Sequence, residues 1–134
     1  VNPLKRIHHV GVAVPDLEAA AVQQETVFGM SRGLRRALPD RGVEVQFMHL
    51  PGCAIELLAP LGDESPVARF LARRGPGLHH LCYEVEDIHA AIAALVDRGV
   101  EMIDQAPRPG AEGKLVAFAQ PRSTGGVLIE LQQA

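Results

Sequence analysis

Two adjacent histidine pairs, His8-His9 and His79-His80, stand out as residues suited to chemistry, together with two glutamates held between isoleucine and leucine, Glu56 and Glu130. Imidazole nitrogen and carboxylate oxygen form a borderline-to-hard donor set for a divalent ion such as Co, Mn, Ni, Fe or Zn. Four such donors on an octahedral ion leave two positions open for a chelating substrate. Singly these residues mean little, because a strand histidine is more often a hydrogen-bonded structural residue and a glutamate between Ile and Leu can simply face solvent. They gain weight because they recur.

HHVGVAVPDLEAA at 8–20 returns as HHLCYEVEDIHAA at 79–91, and GCAIEL at 52–57 returns as GVLIEL at 126–131. Both ends of one module are therefore present twice, and a repeat fixes architecture more firmly than local propensity does. Each copy reads as an alternating segment, a helix signal and two more strand-like segments, a βαββ pattern. In the first copy Val10, Val12 and Val14 alternate. Pro15-Asp16 then starts a helix that turns Leu17, Ala20, Ala21 and Val22 inward and ends near Gly29, with strands predicted at 43–50 and 53–59. In the second copy a strand at 79–85 precedes a helix capped by Asp87, faced by Ile88, Ile92 and Leu95 and ended by Gly99, with strands at 114–119 and 126–132. Ser65-Pro66 opens a short connecting helix that stops at Gly75. The expected organisation is one domain over 1–134, with a first module at 7–60, a helical connector at 61–77 and a second module at 78–134.

Strand alternation selects one histidine from each pair, since neighbouring side chains point to opposite faces. His8 shares a face with Val10, Val12 and Val14, and His79 with Leu81, Tyr83 and Val85; that bulky face is expected to pack against helices. His9, beside Gly11 and Ala13, and His80, beside Cys82 and Glu84, take the open face. Ile55 with Leu57 and Ile129 with Leu131 belong to the helix side, which turns Glu56 and Glu130 the other way. With the copies related by a pseudo-twofold, His9, Glu56, His80 and Glu130 converge as metal ligands. His49 and His89 have Ser123 and Glu18 at the repeat-related positions and are read as surface residues. Arg69, Arg73 and Arg74 on the connecting helix are suited to clamping phosphate, although arginines at that spacing usually form a solvated face. The PRPGAEGK segment at 107–114 is a loop before a strand and lacks the spacing of a phosphate loop.

Composition removes several classes. At 134 residues and 47% hydrophobic content the chain can bury one sizeable core, and a net charge of -3 with dispersed charges offers no basic stripe for nucleic acid. Aromatic residues make up 4%, too few for a base-stacking platform. No apolar run reaches the roughly 20 residues of a membrane helix and the first residues lack a signal-peptide core, so a soluble cytoplasmic protein is expected. Cys53 and Cys82 lie in apolar runs without CxxC spacing and read as small buried hydrophobes.

Four stretches carry a family resemblance: IHHVGVAVPDL at 7–17, IELLAPLGDESPVARFLARRGPGLHHL at 55–81, PRPGAEGK at 107–114 and PRSTGGVLIEL at 121–131. On these the chain resembles the vicinal oxygen chelate (glyoxalase/bleomycin resistance/dioxygenase) superfamily and, within it, the methylmalonyl-CoA epimerases. The resemblance implies an α+β fold of two βαβββ modules in a cupped eight-stranded mixed sheet. His9, Glu56, His80 and Glu130 fall on that family's ligand positions, and the implied cofactor is one divalent ion, cobalt first, with Mn, Ni, Zn or Mg as alternatives. The implied reaction interconverts the (2R) and (2S) forms of methylmalonyl-CoA by α-proton abstraction through a metal-stabilised enolate. Glu130 is the implied base. The position of a second glutamate base is Val45 here, and alternation sends the neighbouring Glu44 to the opposite face, so Glu44 enters only through a register difference. Gln120 stands where many members carry a histidine. Arg69, Arg73 and Lys114 are candidate contacts to the acyl-CoA substrate, and a homodimer is expected.

Other chemistries fit the same fold. A glyoxalase I-like lyase would use a comparable His/Glu/His/Glu set on a glutathione hemithioacetal. An extradiol-type dioxygenase would need two His, one Glu and further acid-base histidines, which the sequence does not supply. A non-catalytic small-molecule or antibiotic-binding protein of this superfamily would typically lack the ligands present here.

Overall fold

In a computed structural model that describes residues 2–134, the chain runs β1 (Leu4–Ala13), α1 (Leu17–Phe28), β2 (Ser31–Leu38), β3 (Val43–Leu50), β4 (Cys53–Pro60), α2 (Pro66–Arg74), β5 (Gly77–Val85), α3 (Ile88–Asp97), β6 (Arg108–Pro109), β7 (Leu115–Ala119) and β8 (Ile129–Gln133). Val1, where the expected single domain starts, lies outside the described residues. The eight strands are ordered β2-β3-β4-β1-β5-β8-β7-β6. The sheet is mixed, with β5 parallel to β8 and antiparallel pairs at β2–β3, β3–β4, β6–β7 and β7–β8. Two βαβββ modules are thus present in sequence order. By contacts the chain divides into two compact units, one comprising the chain up to His9 together with His80–Ala134, the other Val10–His79.

Within the Val10–His79 unit, α1 starts where the Asp16 side chain accepts a hydrogen bond from the Ala19 amide and stops at Gly29, whose φ of 70° suits a residue without a Cβ. Its Leu17 and Ala21 pack on Met48, Leu57 and Ala59, with Val12, Val14, Ala20 and Ile55 around them. Val22 departs from the inward placement expected of it and is 42% exposed. One residue past Ala21 lies about 100° round the helix, off the buried stripe. The connecting helix α2 is capped by Ser65, whose hydroxyl oxygen accepts from the Ala68 amide, and the Phe70 ring meets the His79 ring edge-on at 4.9 Å.

Strand β2 was absent from the periodicity reading for a physical reason. It is mostly exposed, so its sequence SRGLRRAL shows no alternation, and its register against β3 shifts between Arg32 and Arg35. The buried Gln46 amide serves that irregularity by donating to the Gly33 carbonyl at 3.0 Å and the Leu34 carbonyl at 3.4 Å. Carbonyls that an irregular ladder leaves without backbone partners are satisfied by a side chain instead.

The other unit follows the same plan. Asp87 caps α3 by accepting from the Ala90 amide, and Ile88 and Ala91 pack on Val85, Met102, Ala117, Ala119 and Leu131, with Ile92 and Leu95 beside them. Odd-numbered residues of β7 and β8 therefore face the helix. Val116, Phe118, Glu130 and Gln132 face the opposite side, and Phe118 stands directly across from Glu130, as Val116 does from Gln132.

Candidate metal centre

Three of the four expected ligands lie in this second unit, on β1, β5 and β8. Strand pairing aligns Cys82 with Glu130, so the alternation that puts His80 on the same face as Cys82 also brings it to the face of Glu130. His9 Nε2 lies 3.1 Å from His80 Nε2 and 3.0 Å from Glu130 Oε1, and His80 Nε2 lies 3.1 Å from the same oxygen. All three side chains are buried, with residue exposures of 1% for His9 and 5% for both His80 and Glu130. The two imidazoles stand nearly perpendicular, at 87°.

This triangle fits a cation. Ion–donor bonds of about 2.1 Å put neighbouring donors of an octahedron about 3.0 Å apart and those of a tetrahedron about 3.4 Å apart. The edges of 3.0 to 3.1 Å match the octahedral spacing. Two imidazole nitrogens that both converge on one carboxylate oxygen also form the neutral-nitrogen and anionic-oxygen set that divalent ions of intermediate softness take. The buried His/Glu group is able to hold such an ion.

Burial by itself would push the Glu130 carboxyl up, but hydrogen bonds with the His80 and His9 imidazoles overturn that penalty and hold it well below the usual carboxylate range. It is a carboxylate at neutral pH. Beside it the His80 ring meets the Phe118 ring edge-on at 5.7 Å, which gives the site one apolar wall.

Glu56 lies in the Val10–His79 unit, on β4 directly across from Phe47, and is buried. Its neighbours Ile55 and Leu57 pack with α1, so it points away from the helix as alternation requires. Glu44 does not share that face. It belongs with Gln46 and Met48, and its carboxylate lies 3.4 Å from Arg35 Nε. Val45 does share the face of Phe47 and Glu56, and it is fully buried.

The candidate phosphate contacts are each exposed or engaged within their own segment. Arg69 donates to the Glu64 carbonyl at the start of its own helix, Arg73 is exposed, and the Arg74 guanidinium lies 5.5 Å over the Phe70 ring. Lys114 is an exposed residue of a tight turn closed by the Gly110 amide on the Lys114 carbonyl at 2.8 Å. His49 and His89 are exposed, as expected of surface residues.

One expectation fails close to the site. His8 is not delivered to the helix side with Val12 and Val14; its Nδ1 lies 2.8 Å from His9 Nδ1. Its Nε2 lies 3.1 Å from Gln132 Nε2 and 3.3 Å from Glu112 Oε1. Neighbours on a regular strand start out on opposite faces, so alternation alone does not foresee this contact between the two rings. The sequence reading therefore missed His8, Glu112, Gln132 and Phe118. Gln132 was recoverable, because it lies two residues beyond Glu130 and shares its face.

Comparison with known proteins follows the same line. The sequence model of the Glyoxalase/Bleomycin resistance protein/Dioxygenase superfamily matches residues 8–118. The ethylmalonyl-CoA/methylmalonyl-CoA epimerase of Cereibacter sphaeroides is 48% identical over 96% of this chain and 97% of its own. The crystal structure of methylmalonyl-CoA epimerase from Mycobacterium tuberculosis superposes with a TM-score of 0.95 at 33% identity, over 99% of this chain and 90% of that one. A variant of the Streptomyces coelicolor methylmalonyl-CoA epimerase in complex with 2-nitronate-propionyl-CoA gives 0.95 at 29% identity, over 98% of both chains.

Proposed function

Because the chain belongs to the Glyoxalase/Bleomycin resistance protein/Dioxygenase superfamily and to its methylmalonyl-CoA epimerase branch, we propose that it is an isomerase that interconverts (2R)- and (2S)-methylmalonyl-CoA. The observation that carries this reading is the buried triangle of His9 Nε2, His80 Nε2 and Glu130 Oε1, with edges of 3.0 to 3.1 Å. His9, His80 and Glu130 would hold one divalent cation, cobalt in our reading, and Glu56 is the fourth donor by its place in the sequence repeat. When bound, the cation supplies positive charge near the thioester oxygen, where negative charge grows as the α-proton leaves.

The chain's own residues do the rest. Both histidines address Oε1 of Glu130, which leaves Oε2 to take the α-proton; a carboxylate kept ionised by its neighbours is competent to do so. The apolar ring of Phe118 limits water beside it. Glu44, tied to Arg35, has no part in this reading, so the proton delivered to the opposite face comes from another group. Exposed Arg73 and Lys114, with Arg69, are the cations offered to the phosphates of the coenzyme A tail. The reading also has the enzyme cytoplasmic and homodimeric.

The test is stereochemical. Cobalt-loaded protein given (2S)-methylmalonyl-CoA is expected to produce the (2R) epimer until the two reach equilibrium, and to leave a glutathione hemithioacetal unchanged. Turnover of the hemithioacetal with no epimerisation would transfer the assignment to the glyoxalase I-like reaction.

A further inference from the structure

Phe118 is clamped from the outer edge of its strand. Its carbonyl accepts from the Ile103 amide at 2.8 Å, and its own amide donates to Asp104 Oδ2 at 2.8 Å. In an extended strand the amide and carbonyl of one residue point to the same edge, so both polar groups of Phe118 are turned to the 102–104 segment and away from β8. Its pair with Glu130 is therefore the non-hydrogen-bonded kind, in which Cα atoms stand about 4.5 Å apart instead of about 5.5 Å and side chains come closest. Asp104 is itself held, since its other oxygen lies 3.4 Å from Arg108 Nε. The ring so placed meets His80 edge-on at 5.7 Å. On the same face Cys82 and Val116 are sealed, at 0% and 1% exposure, whereas Phe118 is only partly buried. It offers an apolar surface to a molecule that approaches Glu130.

We propose that Phe118 sets the size of the α-substituent this site accepts, and that Asp104 is the positioning residue that holds it there. The α-carbon of a malonyl thioester carries the hydrogen that the base removes, the thioester carbonyl, the free carboxylate and one alkyl group. A base, positive charge and polar partners answer the first three. The alkyl group alone gains from burial against a hydrocarbon ring. A phenyl ring directly across from Glu130 stands within reach of that group, because the base must touch a hydrogen on the same carbon. A ring on a clamped backbone cannot retreat, so it packs against a methyl group and resists each further methylene as any filled apolar site does. The substrates selected are malonyl thioesters with a short 2-alkyl group, methyl foremost.

Phe118 has this role only if Glu130 takes the α-proton, as the epimerase reading requires, so each protein is compared on methyl-, ethyl- and propylmalonyl-CoA. Exchange of the α-proton is followed in deuterated water at saturating Co²⁺. Loss of metal, base or folded protein lowers all three rates alike, and the ratio of their kcat/KM values isolates the wall. Phe118→Ala is expected to raise the propyl-to-methyl ratio about tenfold, the scale of a methylene in an apolar pocket, and Phe118→Leu to raise it less. Asp104→Ala should move the ratio in the same direction. Asp104→Asn keeps an oxygen that accepts from the Phe118 amide and should restore the wild-type ratio. With diamagnetic Zn²⁺ in wild type, the Phe118 ring protons are expected to show Overhauser contacts to the methyl group of bound methylmalonyl-CoA. An unchanged ratio in both Phe118 variants, or the absence of those contacts, overturns the role of Phe118, and a wild-type ratio in Asp104→Ala overturns that of Asp104. Wild type that exchanges none of the three thioesters overturns the epimerase reading and the wall with it.

Discussion

The Nε2 atoms of His9 and His80, 71 residues apart in sequence, lie 3.1 Å from each other, and both lie within 3.1 Å of the same oxygen of Glu130. Nothing in ordinary core packing favours that convergence. Two imidazoles and a carboxylate buried together give up hydration, and the contact between the two imidazole nitrogens has at most one proton to share. An ion at their centre reverses the balance.

His80→Ala should remove one corner of the triangle. Metal affinity is expected to fall by more than about 100-fold, beyond the usual effect of losing an outer-layer partner, and epimerase activity should fall with it. Calorimetric titration with Co²⁺ checks this, and undiminished affinity would take His80 out of the site.

Gln46→Leu tests the support of the irregular β2–β3 pairing. The side chain keeps its volume but leaves the Gly33 and Leu34 carbonyls without the amide that serves them. Stability is expected to drop by about 1–3 kcal/mol, seen as a lower urea midpoint with the slope of the transition unchanged. No change in midpoint would mean that solvent or the backbone serves those carbonyls equally well.

The acid limb of stability should involve Glu18. Hydrogen bonds from Arg32 and Arg35 lower its carboxyl from 4.5 to about 2. A group depressed in the folded state contributes fully above its unfolded value and loses that contribution as pH falls from about 4.5 toward 2. Glu18→Gln should therefore flatten the dependence of the urea midpoint on pH within that window, with a small effect because the site is fully exposed. A mutant profile parallel to wild type would show the arginines acting elsewhere.

Much of this molecule was legible in its sequence where one face of an element is buried. Strands β3 and β4 and the buried faces of α1 and α3 follow from period alone, and alternation separated Glu56 and Glu130 from their apolar neighbours. The repeat then supplied what single residues could not, the pairing of His9 with His80. Legibility failed where burial imposes no pattern. Strand β2 is exposed, so SRGLRRAL carries no period, and the register shift beside it is visible only through Gln46. Val22 was misplaced because an apolar residue next to a buried stripe looks the same in sequence as one within it. His8 was misassigned because alternation speaks only for the backbone, whereas its ring reaches His9 and Gln132. Glu112 approaches His8 only through a loop whose turn geometry no periodicity encodes.

The most direct measurement is exchange at the α-carbon. Methylmalonyl-CoA incubated in deuterated water with the protein, with and without Co²⁺, is followed by mass spectrometry or proton NMR. The expected result is deuterium at the α-position with the cobalt-loaded protein, and little with protein stripped by a chelator or with His80→Ala. A cobalt-loaded protein that binds the thioester and leaves the α-proton in place would contradict the account.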